Sequence, residues 1–208
     1  MSEHYFSAQP SGDFTPREIE AVLAGESRRV LTAGGVFSPE HLDEGTATLL
    51  SALPGLSELN DANPGPILDI GCGWGAIALD AALEHPGREV WAVDVNARSL
   101  ELTAMNAERF GLANVRIATP EEVPQGLEFA EIRSNPPIRV GKEVLHGILH
   151  TWLPRLAPGG TAYLVVAKHL GADSLQRWIA TSFPGLDVER AARRKGFHVI
   201  AARRRSTI

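Results

Sequence analysis

The stretch Ile67–Ala76 constrains the fold of this chain more than any other. It begins with a mostly apolar run, continues through glycines at 71, 73 and 75, and leads at once into a helical pattern. Such an apolar run is typical of a strand buried in a parallel sheet. Glycines let the backbone approach a ligand without a Cβ in the way, and the helix behind them presents unbonded N–H groups. The stretch therefore predicts a strand–turn–helix cradle for a cofactor.

The glycine spacing leaves two cofactors open. Gly71, Gly73 and Ala76 match the dinucleotide pattern G-x-G-x-x-G/A, and the same turn also suits S-adenosylmethionine (SAM). Asp69 lies inside the apolar run, where an unpaired carboxylate is costly. It either binds the amides of the turn or meets a cationic ligand group. The α-ammonium of SAM is such a group, whereas the pyrophosphate of a dinucleotide is anionic, so Asp69 favours SAM.

The rest of the chain predicts a doubly wound α/β domain. Strands are expected at 67–70, 89–94, 115–117, 129–134 and 161–167, and helices after Gly75 and at 97–110, 141–156 and 173–183. Alternating strands and helices imply a parallel sheet. The last two strands, from 188 and at 197–202, are separated by a basic turn without a helix, so they should pair as an antiparallel hairpin.

The N-terminal region gives weaker signals. Thr15–Glu18 has the capping pattern of a helix start, which predicts a short helix ending near Gly25. The segment 28–38 predicts a hairpin that turns at Gly34 and Gly35. We expect residues 1–40 to form an appendage or lid and residues 41–208 to form the main domain, with a helix from Asp43 to Leu53 and a linker at 54–66.

Composition narrows the class of protein. A chain of 208 residues with 44% hydrophobic and 22% charged residues is expected to form one globular domain. No apolar run approaches the roughly 18 residues of a membrane span, and the N-terminus lacks a signal-peptide pattern. The single cysteine, Cys72, excludes an internal disulfide and suits a reducing compartment, so we expect a cytoplasmic protein without a membrane partner.

Charge is distributed unevenly along the chain. The net charge is −5, yet residues 183–208 carry seven basic and two acidic side chains. A basic segment on an acidic protein indicates a local anionic partner or a solvated face.

Polar residues at predicted strand ends complete the cofactor set. Asp94 ends the strand 89–94, where a carboxylate can accept both hydroxyls of a ribose, although it can also cap the helix that follows. Thr119 follows the strand 115–117, where SAM enzymes commonly contact adenine. Asp69, Gly71, Gly73, Asp94, Asn96 and Thr119 are the predicted cofactor-binding residues.

Asn135-Pro136-Pro137-Ile138 follows the strand 129–134 at the sheet edge where α/β proteins bind ligands. The prolines make this segment rigid, and Asn135 is pushed towards an extended conformation. The Asn135 side-chain oxygen and the Pro136 carbonyl can then accept both N–H groups of one planar amine. This would draw the amine towards tetrahedral geometry and orient it on a sulfonium methyl group. A purely structural turn is the alternative.

These motifs resemble a known family. Asp69–Gly73, Asp94 and Asn135–Ile138 resemble class I SAM-dependent methyltransferases that modify planar amino groups. More closely, residues 27–205 are similar to the catalytic domain of the ribosomal RNA small subunit methyltransferase C family, on three segments: Gly35–Ser38, Leu42–Thr46 and Ser134–Gly141.

The resemblance implies a Rossmann-like methyltransferase sheet of seven strands with the last strand antiparallel. It implies SAM as cofactor and the exocyclic N2 amine of a guanine in small-subunit rRNA as substrate. It also implies that Asn135 binds the amine and that Asp94 binds the ribose. Ile138 stands where the family often has a phenylalanine that can stack on the base, so stacking is expected instead from Phe37, Tyr5 or Phe6 of the N-terminal segment. Asn135 and Pro136 are the predicted catalytic residues, and Phe37, Pro137, Ile138 and Arg139 are the predicted substrate-binding residues.

Other functions stay open on the sequence. The same amine-binding logic fits adenine or a protein glutamine, and the glycine turn alone also fits a nicotinamide oxidoreductase or a non-catalytic RNA- or SAM-binding module. His146 and His150 share a helix face, but the intervening glutamate of a zinc motif and a third ligand are missing, so we expect no metal.

Overall fold

The computed structural model describes residues 13–57 and 64–206. In these ranges it contains nine strands and five α-helices, with short 3-10 turns between some of them. None of the described helices is long and apolar enough to cross a membrane. The strands and helices are β1 (Arg17–Leu23), β2 (Glu26–Thr32), α1 (Glu44–Ser57), β3 (Ile67–Ile70), α2 (Ala76–Glu84), β4 (Val90–Val93), α3 (Ala97–Arg109), β5 (Val115–Ala118), β6 (Phe129–Ser134), α4 (Lys142–Trp152), β7 (Leu156–Ala167), α5 (Ala172–Ser182), β8 (Leu186–Arg194) and β9 (Phe197–Arg204).

Seven strands form one sheet in the order β5-β4-β3-β6-β7-β9-β8. β4 pairs with β5 and β6 pairs with β7 in parallel, whereas β9 runs antiparallel to both β7 and β8. The predicted seven-stranded α/β sheet with an antiparallel C-terminal hairpin is therefore confirmed. Internal contacts divide the chain into two units: the first holds the described residues up to Asp43 together with Leu68–Gln125, and the second holds Glu44–Ile67 and the chain from Gly126 onwards.

The predicted N-terminal helix is wrong, because Arg17–Leu23 forms β1 and pairs antiparallel with β2. Burial in β1 alternates, with Ala21 and Leu23 buried and Val22 exposed, which is the period of a strand. This pairing and burial outweigh the local capping signal at Thr15–Glu18. The hairpin turn is also misplaced in the prediction: it lies at Ala24 and Gly25, both with positive φ, and not at Gly34 and Gly35.

The β1–β2 hairpin packs within the first unit. Asn106 of α3 is fully buried and pairs with both backbone groups of Leu31, accepting its N–H at 2.7 Å and donating to its carbonyl at 2.9 Å. The Ala24 N–H in the hairpin turn donates to Asp80 of α2 at 2.8 Å. The hairpin is thus attached to both helices of this unit. The role of residues 1–40 as an appendage or lid stays a prediction.

Several boundaries in the second unit differ from the prediction: α4 ends at Trp152 and is followed by a 3-10 turn at Leu153–Arg155, whereas the predicted helix reaches residue 156. α1 begins where expected and continues to Ser57, so it includes the first residues of the predicted linker. The residues 58–63 lie outside the described part. β7 begins at Leu156 because this residue pairs with Phe129, and Pro158-Gly159-Gly160 does not interrupt it. Gly160 is required there, since an added Cβ would lie 2.9 Å from the carbonyl oxygens of Ala130 and Ala157.

β6 carries a buried ion pair that the sequence did not reveal. Every residue of this strand is buried, and Glu131 and Arg133 are both fully inaccessible to solvent. The Nε of Arg133 donates to Oε1 of Glu131 at 2.5 Å. Two residues further on, β6 ends at the Asn135 segment, so the pair supports the strand that presents this segment.

Breaking this pair should destabilise the fold more than replacing it. Arg133→Met leaves a buried carboxylate without this cation, which we expect to cost about 3–5 kcal/mol. The double variant Glu131→Leu, Arg133→Met removes both charges and should recover most of that loss. Urea unfolding of the two variants and of the wild type measures the difference. Equal stability of the single and double variants would contradict a coupled pair.

Candidate active site

The glycine turn of the first unit is bonded to the end of β4. The N–H groups of Gly71 and Cys72 both donate to the Val93 carbonyl, at 2.8 and 3.1 Å. The next glycine, Gly73, donates its N–H to Oδ2 of Asp94 at 2.9 Å. The predicted cofactor residues Gly71, Gly73 and Asp94 are therefore brought together by backbone hydrogen bonds.

The same turn provides an open cradle. Gly71 and Gly73 have φ values of 74° and 58°, and a Cβ added to either would meet no atom within 4 Å. Gly75 differs, since its added Cβ would lie 3.0 Å from the Thr103 hydroxyl and 3.1 Å from Leu79. The first two glycines therefore face space in which an organic cofactor fits, and the third permits close packing of α2 against α3.

Asp69 is fully buried behind this cradle. Its Oδ2 accepts the N–H of Ala78 at 3.0 Å, in the first turn of α2. The carboxylate thus satisfies one of the amides that a helix N-terminus leaves without an intrahelical partner. Of the two explanations for Asp69, the structure displays this contact with the helix, and its contact with a cofactor ammonium stays a prediction.

Asp94 is held in place by the groups around it. Oδ2 accepts the N–H of Gly73 and Oδ1 accepts the N–H of Asn96, each at 2.9 Å. The residue is half-buried, and burial raises the pKa of its carboxyl group, while hydrogen bonds from Asn96 and Gly73 act in the opposite direction. The carboxylate is oriented at the mouth of the cradle, as ribose binding requires, and the ribose contact itself stays a prediction.

The remaining predicted cofactor residues differ in exposure. Asn96 is fully buried, where its Oδ1 caps α3 and its Nδ2 donates to the Gly35 carbonyl at 2.9 Å, so it positions the backbone around Asp94. Thr119 is half-buried and donates its N–H to Glu122 at 2.8 Å. Direct contacts of both residues with a cofactor stay predictions.

Sequence reasoning missed Val95. This apolar residue is 46% exposed directly after Asp94, so it offers a surface that an adenine ring could cover. The available signal was an apolar residue immediately after the acidic residue that ends a strand.

In the second unit, β6 leads into the Asn135 segment. The Asn135 side chain is half-exposed, and its Nδ2 donates to the hydroxyl of Thr46 at 3.1 Å. Thr46 is buried in the first turn of α1. In the sequence, Leu42–Thr46 stands out only through the family resemblance, whereas in the structure the Thr46 hydroxyl binds the Asn135 amide.

The proline carbonyls are already partly engaged. The Pro136 carbonyl accepts the N–H of Ile138 at 2.8 Å across an inverse γ-turn, with φ −74° and ψ 76° at Pro137. A carbonyl oxygen has two lone pairs, so this bond still permits a second donor at Pro136.

The predicted substrate residues lie in both units. Pro137 and Ile138 are half-buried and Arg139 is exposed, all on the segment that follows Asn135. Phe37 belongs to the first unit and is 47% exposed. A substrate contact by any of these residues stays a prediction.

His146 and His150 contact aromatic side chains. The ring of His146 stacks on Trp178 with the centroids 3.6 Å apart, and His150 lies edge-on to the same indole ring. In the part of the chain that the structure describes, no three metal-binding side chains are grouped in a way that could hold an ion.

A cavity of about 680 Å³ lies elsewhere in the second unit, against β7, β8 and β9. Its walls include Tyr163, Ala201 and Arg203. None of the predicted site residues lines it.

Comparison with known proteins agrees with this geometry. Residues 27–201 match the family described as Methyltransferase small domain. The Bacillus subtilis (strain 168) protein YbxB, itself uncharacterized, is 33% identical over 207 residues, which cover 98% of this chain and 100% of the relative. The ribosomal RNA small subunit methyltransferase C of Shewanella amazonensis is 35% identical over 141 residues, covering 65% of this chain and 39% of the relative.

The fold is also similar to a solved structure. The T. thermophilus 16S rRNA N2 methyltransferase RsmC, in complex with AdoMet and guanosine, superposes with a TM-score of 0.78 at 24% identity. The match covers 93% of this chain and 52% of that chain. This chain therefore spans only about half of that protein, and a smaller part of the Shewanella relative.

The chain belongs to the Methyltransferase small domain family and is a class I SAM-dependent methyltransferase. SAM is its cofactor, which decides the choice that the spacing of Gly71, Gly73 and Ala76 left open.

A methyl group in the cradle should block the cofactor. Gly73→Ala places a Cβ in the open space of the cradle and should weaken SAM binding at least tenfold. Gly111→Ala is a matched control, because Gly111 also has a positive φ, at 65°, and also faces open space, but lies after α3. Each substitution should cost roughly 1–2 kcal/mol of stability because of its left-handed backbone.

Isothermal titration with SAM and thermal unfolding separate the two effects. Equal SAM affinity of the two variants would show that the space in front of Gly73 is not the cofactor cradle.

Proposed function

We propose that this protein is a SAM-dependent N-methyltransferase that modifies the exocyclic N2 amine of a guanine in RNA, with small-subunit rRNA as the substrate. The observation that carries the proposal is the Asn135 segment: a rigid Asn-Pro-Pro turn at the end of β6, with the Asn135 amide held by Thr46. The Shewanella ribosomal RNA small subunit methyltransferase C and the T. thermophilus RsmC, both similar to this chain, methylate rRNA, which supports the proposal.

The chemistry of a base amine explains why acceptors are needed. Its nitrogen lone pair is delocalised into the ring, so the amine is planar and a weak nucleophile. In our proposal the Asn135 side-chain oxygen and the second lone pair of the Pro136 carbonyl accept its two N–H groups. These two hydrogen bonds orient the nitrogen and favour its tetrahedral geometry, which is catalysis by positioning. SAM, when bound, supplies a methyl group activated by the positive sulfur.

The first unit holds the cofactor in this proposal. Gly71 and Gly73 line the cradle, Asp94 accepts the ribose hydroxyls, and Val95 covers the adenine. Asp69 remains behind the turn and keeps it bonded to α2, where its negative charge also favours the ammonium group of SAM. Phe37, which is 47% exposed, is our candidate for stacking on the base, and the alternatives Tyr5 and Phe6 lie outside the described residues. A guanine within a duplex would have to leave the stack to be reached.

The second candidate substrate is a protein glutamine or an adenine. Two acceptors at Asn135 and Pro136 suit any planar amine, so this segment alone does not select guanine. The chain also covers only 39% of the Shewanella rRNA methyltransferase. The substrate therefore has to be identified by direct assay.

Replacing Asn135 should abolish methyl transfer and leave the cofactor in place. We expect wild-type protein to transfer labelled methyl from SAM to unmodified small ribosomal subunits, with N2-methylguanosine found by mass spectrometry of the digested rRNA. Asn135→Ala removes one acceptor and should lower the rate at least a thousandfold, while the SAM affinity stays within twofold of wild type.

Parallel assays with bulk tRNA and with a release factor test the competing substrates. Near-normal activity of Asn135→Ala would refute the assigned role. Transfer by wild type to the release factor alone would refute the RNA substrate and leave the amine-binding segment valid.

Thr46 should act through Asn135. Thr46→Val keeps the shape of the side chain and removes the hydroxyl that holds the amide, so kcat should fall about tenfold with unchanged SAM affinity. Thr46→Ser should restore most of the rate. Thr48→Val makes the same change at another buried threonine of α1 that shows no contact with Asn135, and should leave kcat near normal. Equal losses in both valine variants would indicate a general effect on α1.

A further inference from the structure

One edge of the sheet in the second unit carries aligned strand ends. Ala167, the last residue of β7, pairs with Phe197 of β9, and Phe197 pairs with Arg194, the last residue of β8. Just beyond this row, the N–H of Lys168 donates to the Gly196 carbonyl at 2.8 Å. β6 ends at the same edge, since Ser134 pairs with Leu164 of β7, three residues before Ala167. The Asn135 segment therefore leaves the sheet beside these strand ends.

Basic side chains follow each of these strand ends. All of them are exposed, and together we call them the cationic rim: Arg139, Lys142, Lys168, Arg193, Arg194 and Lys195. Arg193 and Arg194 are the last two residues of β8, and Lys195 begins the β8–β9 turn, in which Lys195 and Gly196 have φ values of 47° and 82°. A two-residue turn with positive φ at both positions is the tight type that matches the twist of a hairpin. Three cations are thus presented on a rigid support.

The rim differs in its partners from Arg204 and Arg205 at the far end of the same hairpin. Among the described residues, no carboxylate forms an ion pair with a rim cation, and Arg194 instead donates to the neutral hydroxyl of Ser51 at 3.0 Å. At the opposite end of the same hairpin, Arg204 pairs with Glu128 at 2.8 Å and Arg205 pairs with Asp187 at 2.7 Å.

Among the residues that the structure describes, Glu44 and Glu143 in the first turns of α1 and α4 form no ion pair with the rim, and Asp173 in the first turn of α5 pairs with Arg190 of β8. The protein is acidic overall, with a net charge of −5, and yet these six cations lie on the segments at one sheet edge without a carboxylate ion-pair partner in the described part of the chain. Like charges held this way repel each other, and a polyanion removes that repulsion while it releases counterions.

We infer that the cationic rim binds backbone phosphates of the RNA that presents its amine to Asn135. The inference rests on the proposed function and extends it from the target base to the flanking nucleotides. Arg139 and Lys142 lie on the chain next to the amine-binding segment and contact phosphates near the target, whereas the β8–β9 turn and Lys168 contact phosphates further along the strand. Phosphate contacts of this kind position the RNA without reading its sequence.

The test compares two double variants with the same loss of charge. Arg193→Gln, Lys195→Gln neutralises two rim cations, and Arg203→Gln, Arg205→Gln neutralises two exposed arginines at the far end of the hairpin. The probe is unmodified small-subunit rRNA transcribed in vitro, with binding measured by fluorescence anisotropy between 50 and 200 mM salt. The rim variant should bind at least tenfold more weakly at the lower salt, and the control within twofold of wild type.

Salt dependence gives a second readout. Neutralising two phosphate contacts should reduce the slope of log affinity against log salt by about 1.4, at about 0.7 for each contact on a single strand. Equal weakening in both variants would show that affinity follows net charge, and unchanged affinity in the rim variant would show that the rim makes no contact. Either result overturns the inference.

Methyl transfer in the same samples separates this inference from the proposed function. If the rim variant loses rRNA affinity and the wild type forms no N2-methylguanosine, the rim contact is supported and the proposed reaction is refuted. If the rim variant binds rRNA with normal affinity and produces N2-methylguanosine at normal yield, the rim contact is refuted and the proposed reaction is supported. A rim variant impaired only towards the release factor would overturn the RNA contact in favour of a protein partner.

Discussion

The hydrogen bonds between the glycine turn and the end of β4 are the interaction on which the predicted cofactor cradle depends. Two turn amides share the Val93 carbonyl, and the Gly73 amide is bound by the Asp94 carboxylate. A single set of contacts therefore shapes the cradle and orients the acidic side chain at its mouth. Behind it, Asp69 bonds α2 and Asn106 joins α3 to the β1–β2 hairpin and to the Trp74 carbonyl, so the turn is supported from several directions.

The second unit uses the same principle for the group that is proposed to hold the substrate. The Asn135 amide is bonded to a buried threonine, and the prolines that follow limit the backbone. Below them, a buried ion pair lies in a strand with no exposed residue. Side chains that are already in position need little reorganisation when a substrate arrives, which is how the proposed Asn135 segment would accelerate transfer to a weak nucleophile.

The sequence predicted the order of the α/β core because strands and helices there alternate with clear apolar patterns and end at glycine or proline. It failed at Arg17–Leu23, where the capping signal of a helix competed with the alternating pattern of a strand. Burial against α2 and α3 favoured the strand. The sequence also failed at the start of β7, where pairing with Phe129 continued the strand through Pro158 and two glycines. Both errors have one cause: a local sequence pattern contains no information about pairing with another segment of the chain.

The sequence by itself determined the class of fold, the glycine cradle and the Asn-Pro-Pro segment, because each depends on residue types that only a few backbone conformations accept. Only the tertiary structure decided which side chains support them. Thr46 meets Asn135 across 89 positions of sequence, and Asn106 meets Leu31 across 75. It also decided which arginines have carboxylate partners. Ion pairs form between residues that folding brings together. Composition therefore revealed the basic C-terminal segment, and only the fold showed that Arg204 and Arg205 pair with carboxylates whereas Arg194 bonds to the Ser51 hydroxyl.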